Sequence, residues 1–288
     1  MTIPAPAPFQ PPQQQPPRPP QTPYYVSPIP VTDAHIGHAI ASEWTKIKSV
    51  RSTVWTLGVL IVLVFGIGLL STVAIRSSGS TMNGTPVLSM GFFGVLLGSM
   101  CVVTLGVLTV ASEYGTGMIR TTLTACPSRA RVLTAKAIVF FLLAFVILLV
   151  TTSLVAMFQY AMLKGTGAGA PDGGQWIRAT FGVSLYVALL GLLSLAVGSL
   201  IRHSAGAITV MLGVVLLPLV LALFMFARSL SGLRDKLFEY SIPNQLSAFY
   251  STSVSSTGPS GWQPLWILLG VTAVVYAGAL AVLSNRDV

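Results

Sequence analysis

Six stretches of this chain, residues 54–75, 87–111, 137–163, 179–201, 205–227 and 264–284, contain no Asp, Glu, Lys, Arg or His. Each is long enough to cross a hydrocarbon core, which takes about 20 helical residues. The runs are continuously apolar rather than alternating, so they read as helices and not as barrel strands. Only 8% of the 288 residues are charged, against about 25% in soluble domains. A water-facing surface of this size could not be covered by so few charges. The fold class expected is an all-α integral membrane protein with six transmembrane helices.

The loops set the orientation. With the N-terminus inside, the cytoplasmic segments hold Arg18, Lys46, Lys48, Arg51, Arg120, Arg129, Arg131, Lys136, Arg202 and Arg286. The external segments hold Arg76, Lys164, Arg178, Arg228, Arg234 and Lys236, six against ten. This bias places both termini in the cytoplasm. The net charge of +9 is accounted for by topology, so nucleic acid is not an expected partner. The N-terminus is proline-rich rather than basic and then apolar, so no secretory signal is read and the first helix is expected to direct insertion.

Residues 1–34 form the first division of the chain, with 12 of its 19 prolines falling in residues 1–30. Proline favours extended backbone, and this segment offers little to bury, so a disordered tail is expected. Residues 35–52 follow as an amphipathic helix in the membrane interface. Ile36, Ile40, Trp44 and Ile47 share one helical stripe, flanked by Lys46 and Lys48. Glu43 falls within that apolar stripe. A carboxylate there must find a cationic partner or reach the headgroups. Residues 53–288 form the six-helix domain.

Chemistry is sparse. There is no G-x-x-x-x-G-K-[ST] loop and no H-E-x-x-H, and His35, His38 and His203 are dispersed. Cys101 lies in an apolar run and Cys126 in a loop, so no disulfide is expected. Catalytic, cofactor and metal residues are read as none. Proton relays and many ion-coupled carriers place titratable groups inside the membrane. The apolar runs hold none, so energy for any transport must come from elsewhere. The glycines at 58, 66, 68, 91, 94 and 98 are expected to allow close helix approach, and Pro218 to kink the fifth helix.

The most informative connection is residues 112–136, read as a soluble loop. Glu113 opens it, Gly115 and Gly117 loosen it, Met118 to Leu123 is a short helix-compatible run, and Pro127 punctuates it; Met118, Ile119 and Leu123 give a small apolar face beside Arg120. It reads either as a docking element or as a solvated loop whose basic residues only set topology. In the external segment, 228–261, Leu233, Leu237 and Tyr240 are spaced for a short amphipathic turn.

Four pieces carry a family resemblance: SEWTKIKSVRSTVW, EYGTGMIRTTLTACPSR followed by AKA, IRHSAGAI, and the terminal NRDV. In this order, with six helices, residues 40–288 resemble the permease subunits of ABC-2 type ABC transporters of the actinobacterial kind. The resemblance implies the membrane-spanning half of an ATP-driven exporter in a bacterial plasma membrane. It implies a separate ABC ATPase dimer that binds ATP and Mg, a second permease subunit and contact with lipids. This chain would then be no enzyme and would carry no cofactor. Carried over, Glu43, Trp44 and Lys46 belong to the interface helix. Glu113, Gly117, Ile119, Arg120 and Leu123 belong to the ATPase-coupling loop. An ion-coupled carrier or channel, and a non-transporting anchor, are the alternatives.

Overall fold

The computed structural model describes residues 35–79, 82, 84–126, 128–252 and 258–285, with backbone alone at 284 and 285. Residues 1–34, Pro127 and Arg286, on which expectations were placed, lie outside these. Among the described residues there is no strand. Six helical segments among them are long and apolar enough to cross a membrane. The chain has the build of a multi-pass membrane protein.

Helix α1 (Ile36–Ser49) ends at Val50, whose extended backbone makes an elbow before α2 (Arg51–Ser77). A 3-10 turn, Val87–Gly91, leads into α3 (Phe92–Thr116). A short helix, α4 (Met118–Ala125), precedes α5 (Arg129–Leu163). Helix α6 (Gly173–Ile177) and a π turn, Arg178–Gly182, run into α7 (Val183–Ile201). After α8 (Ser204–Phe224) come α9 (Ser231–Glu239), α10 (Ile242–Ala248) and α11 (Gln263–Asn285).

Helix α7 is the hub and packs on α3, α5, α8 and α11. Its fully buried side chains include Tyr186, Leu190 and Leu195. Helices α2, α8 and α11 stand outside and turn Val62, Leu70, Phe224 and Val274 outward, each more than two-thirds exposed. In water such faces would drive aggregation. In acyl chains they cost nothing, and helices then associate through packing and hydrogen bonds rather than the hydrophobic effect.

Close packing is visible at the glycines. A Cβ on Gly94 would stand 2.8 Å from the Val64 carbonyl oxygen, and one on Gly98 2.7 Å from the Val64 side chain. Gly68 is as tightly set against Val155. Gly58 and Gly66 are different, because a Cβ there would meet nothing within 4 Å. The expectation of close approach fails at these two, since they lie on the outward side of α2. Helix α8 continues past Pro218 and stops at Phe224, short of residue 227.

The connection 112–136 is helical at Met118–Ala125, where the sequence reads as a helix-compatible run, and is helical on both sides of it as well, where a loop is expected. Helix α3 extends through Thr116, α4 fills the middle, and α5 starts eight residues ahead of its apolar run. The physical reason lies in the sequence. Ser112, Thr116, Thr122 and Thr124 satisfy their hydroxyls on carbonyls four residues back, so they do not break a helix. Gly117, at φ 74°, turns the chain as a left-handed residue closing α3 and opening α4, and the extended backbone of Cys126 and Ser128 separates α4 from α5. Gly115, expected to be flexible, lies inside α3.

In the segment 228–261 a short helix, α9, forms where an amphipathic turn is expected, but its buried face is another. Leu233 and Tyr240 are exposed, and α9 turns Glu239 inward instead. Burial belongs to α10 and its end, where Leu246, Phe249 and Tyr250 are each at most 5% exposed.

Candidate functional site

Four charged side chains from three helices converge at one end of the bundle. Lys136 projects from the first turns of α5 and is 2% exposed. Its Nζ donates to Glu43 Oε2 of α1 at 2.7 Å and to Glu113 Oε1 of α3 at 2.6 Å. Lys46, one turn along α1 from Glu43, donates to Glu43 Oε1 at 2.9 Å and to Glu113 Oε1 at 3.0 Å. Its third hydrogen bond reaches Thr122 Oγ1 of α4 at 3.4 Å. Each carboxylate thus meets both ammoniums, and formal charge sums to zero.

Burial makes this arrangement costly to disturb. An ion taken out of water loses several kcal/mol of solvation, and only good geometry returns it. Lys46 is the one partly open member, its side chain 27% exposed. Burial alone would lower its pKa, but the hydrogen bonds and charges of Glu43 and Glu113 outweigh that and hold it above the usual lysine value. Glu113 Oε2 is buried and has no partner.

The elements that bring the four together follow from the sequence. A helix puts residues three apart on one face, which joins Glu43 to Lys46. The elbow at Val50 lays α1 across the end of α5, against which it packs. The αL turn at Gly117 then folds α4 back under α3, so that Thr122 faces Lys46. Ile119 is the buried residue of α4, 8% exposed, and Leu123 is half-buried. Arg120 and Gly117 are exposed.

Glu43, Lys46 and Glu113 are therefore brought together, and Glu43 takes the cationic-partner option open to it. Trp44 is turned away, 42% exposed, with Lys48 Nζ 4.7 Å from its ring centre. The apolar stripe on α1 is not its buried face, since Glu43 is the only buried residue of that helix. Sequence reasoning missed Lys136 and Thr122. Lys136 had been accounted for by topology, although a carboxylate in an apolar stripe demanded a cation from outside its own helix.

Two cavities flank the cluster. One of about 320 Å³ lies between α1 and α4, with His38, Ser42, Met118, Thr121 and Cys126 in its walls. The other, about 160 Å³, lies between the elbow and α3 and is lined by Ser52, Thr56, Leu105, Thr109 and Glu113. Glu43, Lys46 and Met118 border both.

The same end of the bundle is joined by further basic residues. Arg129 Nη1 donates to the Leu283 carbonyl of α11 at 3.3 Å. Arg202 sits in left-handed backbone, φ 57°, between α7 and α8, its guanidinium 5.0 Å from the ring centre of Tyr114. His203 caps α8, its Nδ1 accepting from the Gly206 amide at 3.1 Å. Among the described residues no group of three or more His, Cys, Asp or Glu side chains is arranged to hold a metal ion. Cys101 and Cys126 are free thiols.

No family model matches the chain, and no curated protein is found to match it.

Proposed function

We propose that this chain is the membrane-spanning subunit of an ATP-driven exporter of the ABC-2 permease class, worked by a separate ATPase. The observation that carries the reading is the charged cluster. It fastens the short helix α4 to α1, α3 and α5 at one end of a bundle whose apolar runs are uncharged. A short helix whose Thr122 hydroxyl is held by an ammonium of that cluster is suited to pass a push into the membrane. Arg120 and Met118 are exposed on it and available to a partner, while Ile119 faces inward.

In this reading both termini and the cluster are cytoplasmic, α1 lies in the interface, and the membrane is the bacterial plasma membrane. The motifs quoted above and the excess of basic residues on one side support it. A partner ATPase dimer binds ATP and Mg. A second permease subunit completes the path. Closure of the ATPases displaces α4, and the cluster carries that displacement to α1 and α3. The inward- and outward-facing states must differ in free energy for each nucleotide state. The substrate class that fits weakly polar, hydroxyl-bearing helices is an amphiphile.

The experiment replaces Arg120 and Leu123 together by alanine and measures ATPase co-purification and transport in vesicles. Loss of either is expected. Wild-type values for both would overturn the coupling role. A second reading, an ion-coupled carrier, draws on one observation: Glu113 and Lys136 stand inside α3 and α5. Their engagement with each other argues for a structural tie instead. Transport by the chain alone in vesicles without ATP would favour the carrier.

A further inference from the structure

At the other end of α5 lies a small cavity, apolar in most of its lining but holding three polar side chains, that the transport reading does not use. Gln159 is 1% exposed, and its Nε2 has no hydrogen-bond partner. Tyr250, just after α10, is 5% exposed. The two side chains flank Gly91. The position a Cβ would take on Gly91 is 3.5 Å from Tyr250 Oη and 3.6 Å from Gln159 Nε2. A cavity lined by these three residues and Thr152, with apolar walls from Val64, Leu88, Val95, Val155, Ala156 and Ala179, leaves about 10 Å³ to the centre of a water molecule. One water needs about 10–15 Å³ by that measure and two to four polar partners.

We propose that one water molecule is bound between Gln159, Tyr250 and Thr152 and joins α5 to the segment that follows α10. The water accepts from Gln159 Nε2, exchanges a hydrogen bond with the Tyr250 hydroxyl and can donate to Thr152 Oγ1. It satisfies a buried amide donor that would otherwise be left unpaired at a large cost. The glycine at 91 makes the space. Thr152 is itself bonded to Ser184 of α7 at 3.1 Å, so the water extends a polar seam that links α5, α7 and the segment around α10. The cavity is too small for a substrate, since ligand pockets start near 300 Å³.

The wild-type chain, solved at a resolution that shows ordered water, tests this directly. A solvent feature within hydrogen-bond distance of Gln159 Nε2 and Tyr250 Oη is expected. A cavity without it, or a direct bond between the two side chains that closes the space, overturns the proposal. Gly91→Ala gives a second readout. Its methyl makes only ordinary contacts with the two polar atoms, yet it takes the place of the water. Expected are loss of the solvent feature and a fall in melting temperature of about 2–4 °C or more. An unchanged melting temperature with the solvent feature still in place would overturn the proposal as well. If Gly91→Ala fails to fold, the wild-type map alone decides.

Discussion

The two ends of α5 are held by different chemistry. Near its start Lys136 is locked by two carboxylates. About 34 Å further along, at the helical rise of 1.5 Å per residue, Gln159, Tyr250 and Tyr186 offer only neutral polar groups. Charge pairs are strong and intolerant of losing one member. Neutral hydrogen bonds inside membrane bundles contribute about 0.6 kcal/mol on average. The first end is therefore built as a rigid tie between four helices, and the second as a set of small joints that packing must support.

The largest effect expected is at Lys136. Lys136→Met removes the buried cation and leaves Glu43 and Glu113 facing each other across Lys46. Removing one partner of a buried pair costs about 3–5 kcal/mol. Thermal unfolding in detergent should show it as a large fall in melting temperature. Lys46→Met should cost nearer 1 kcal/mol, as a partly open ion pair does. Equal losses for the two lysines would break the comparison, because burial would then not be what distinguishes them.

Between the ends, glycine packing sets the helix spacing. Gly94→Ala would drive a methyl against the Val64 backbone, where little can yield, and overpacking of this kind costs about 1–3 kcal/mol. Gly58→Ala meets open space and should be neutral or gain up to about 1 kcal/mol from better helix propensity. Unfolding curves of the two variants side by side sharpen the claim that α2 packs by one face alone.

The sequence made the spans legible because the apolar runs leave helices as the only structure that satisfies their backbone in lipid. It was much less informative about the helix ends. Residues 112–116 are polar and 129–136 are rich in basic residues, and a hydropathy pattern reads such stretches as loop, yet Ser112 and Thr116 bond back onto α3 and α5 buries Val132 and Leu133. Glu43 was legible as an anomaly, being a carboxylate among apolar neighbours. Its partner was not, because Lys136 lies 93 residues on and basic residues beside spans are ordinary. Leu233 and Tyr240 misled for the opposite reason. Their spacing suits a helix face, but the segment buries α10, where no apolar periodicity long enough to register exists.

At the neutral end the expected losses are smaller. Tyr186 Oη donates to Gln245 Oε1 of α10 at 3.3 Å. Tyr186→Phe keeps the buried ring against Phe249 and deletes that bond alone. A loss of about 0.6 kcal/mol is expected. A loss of the size seen for Lys136→Met would show that the neutral joints are as decisive as the charged tie.

The smallest effect is a titration that only the charged end should show. Lys46 carries a raised pKa, above its ordinary 10.5, through Glu43 and Glu113. The folded protein holds this proton more tightly than the unfolded chain does. Its contribution to stability is full below about pH 10.5 and fades as pH climbs through the raised value. Melting temperature followed from pH 9 upward should therefore fall more steeply in the wild type than in Lys46→Met. Parallel curves would mean that Lys46 is solvated like a surface lysine, and the tie between α1 and α4 would then rest on Thr122 and apolar packing alone.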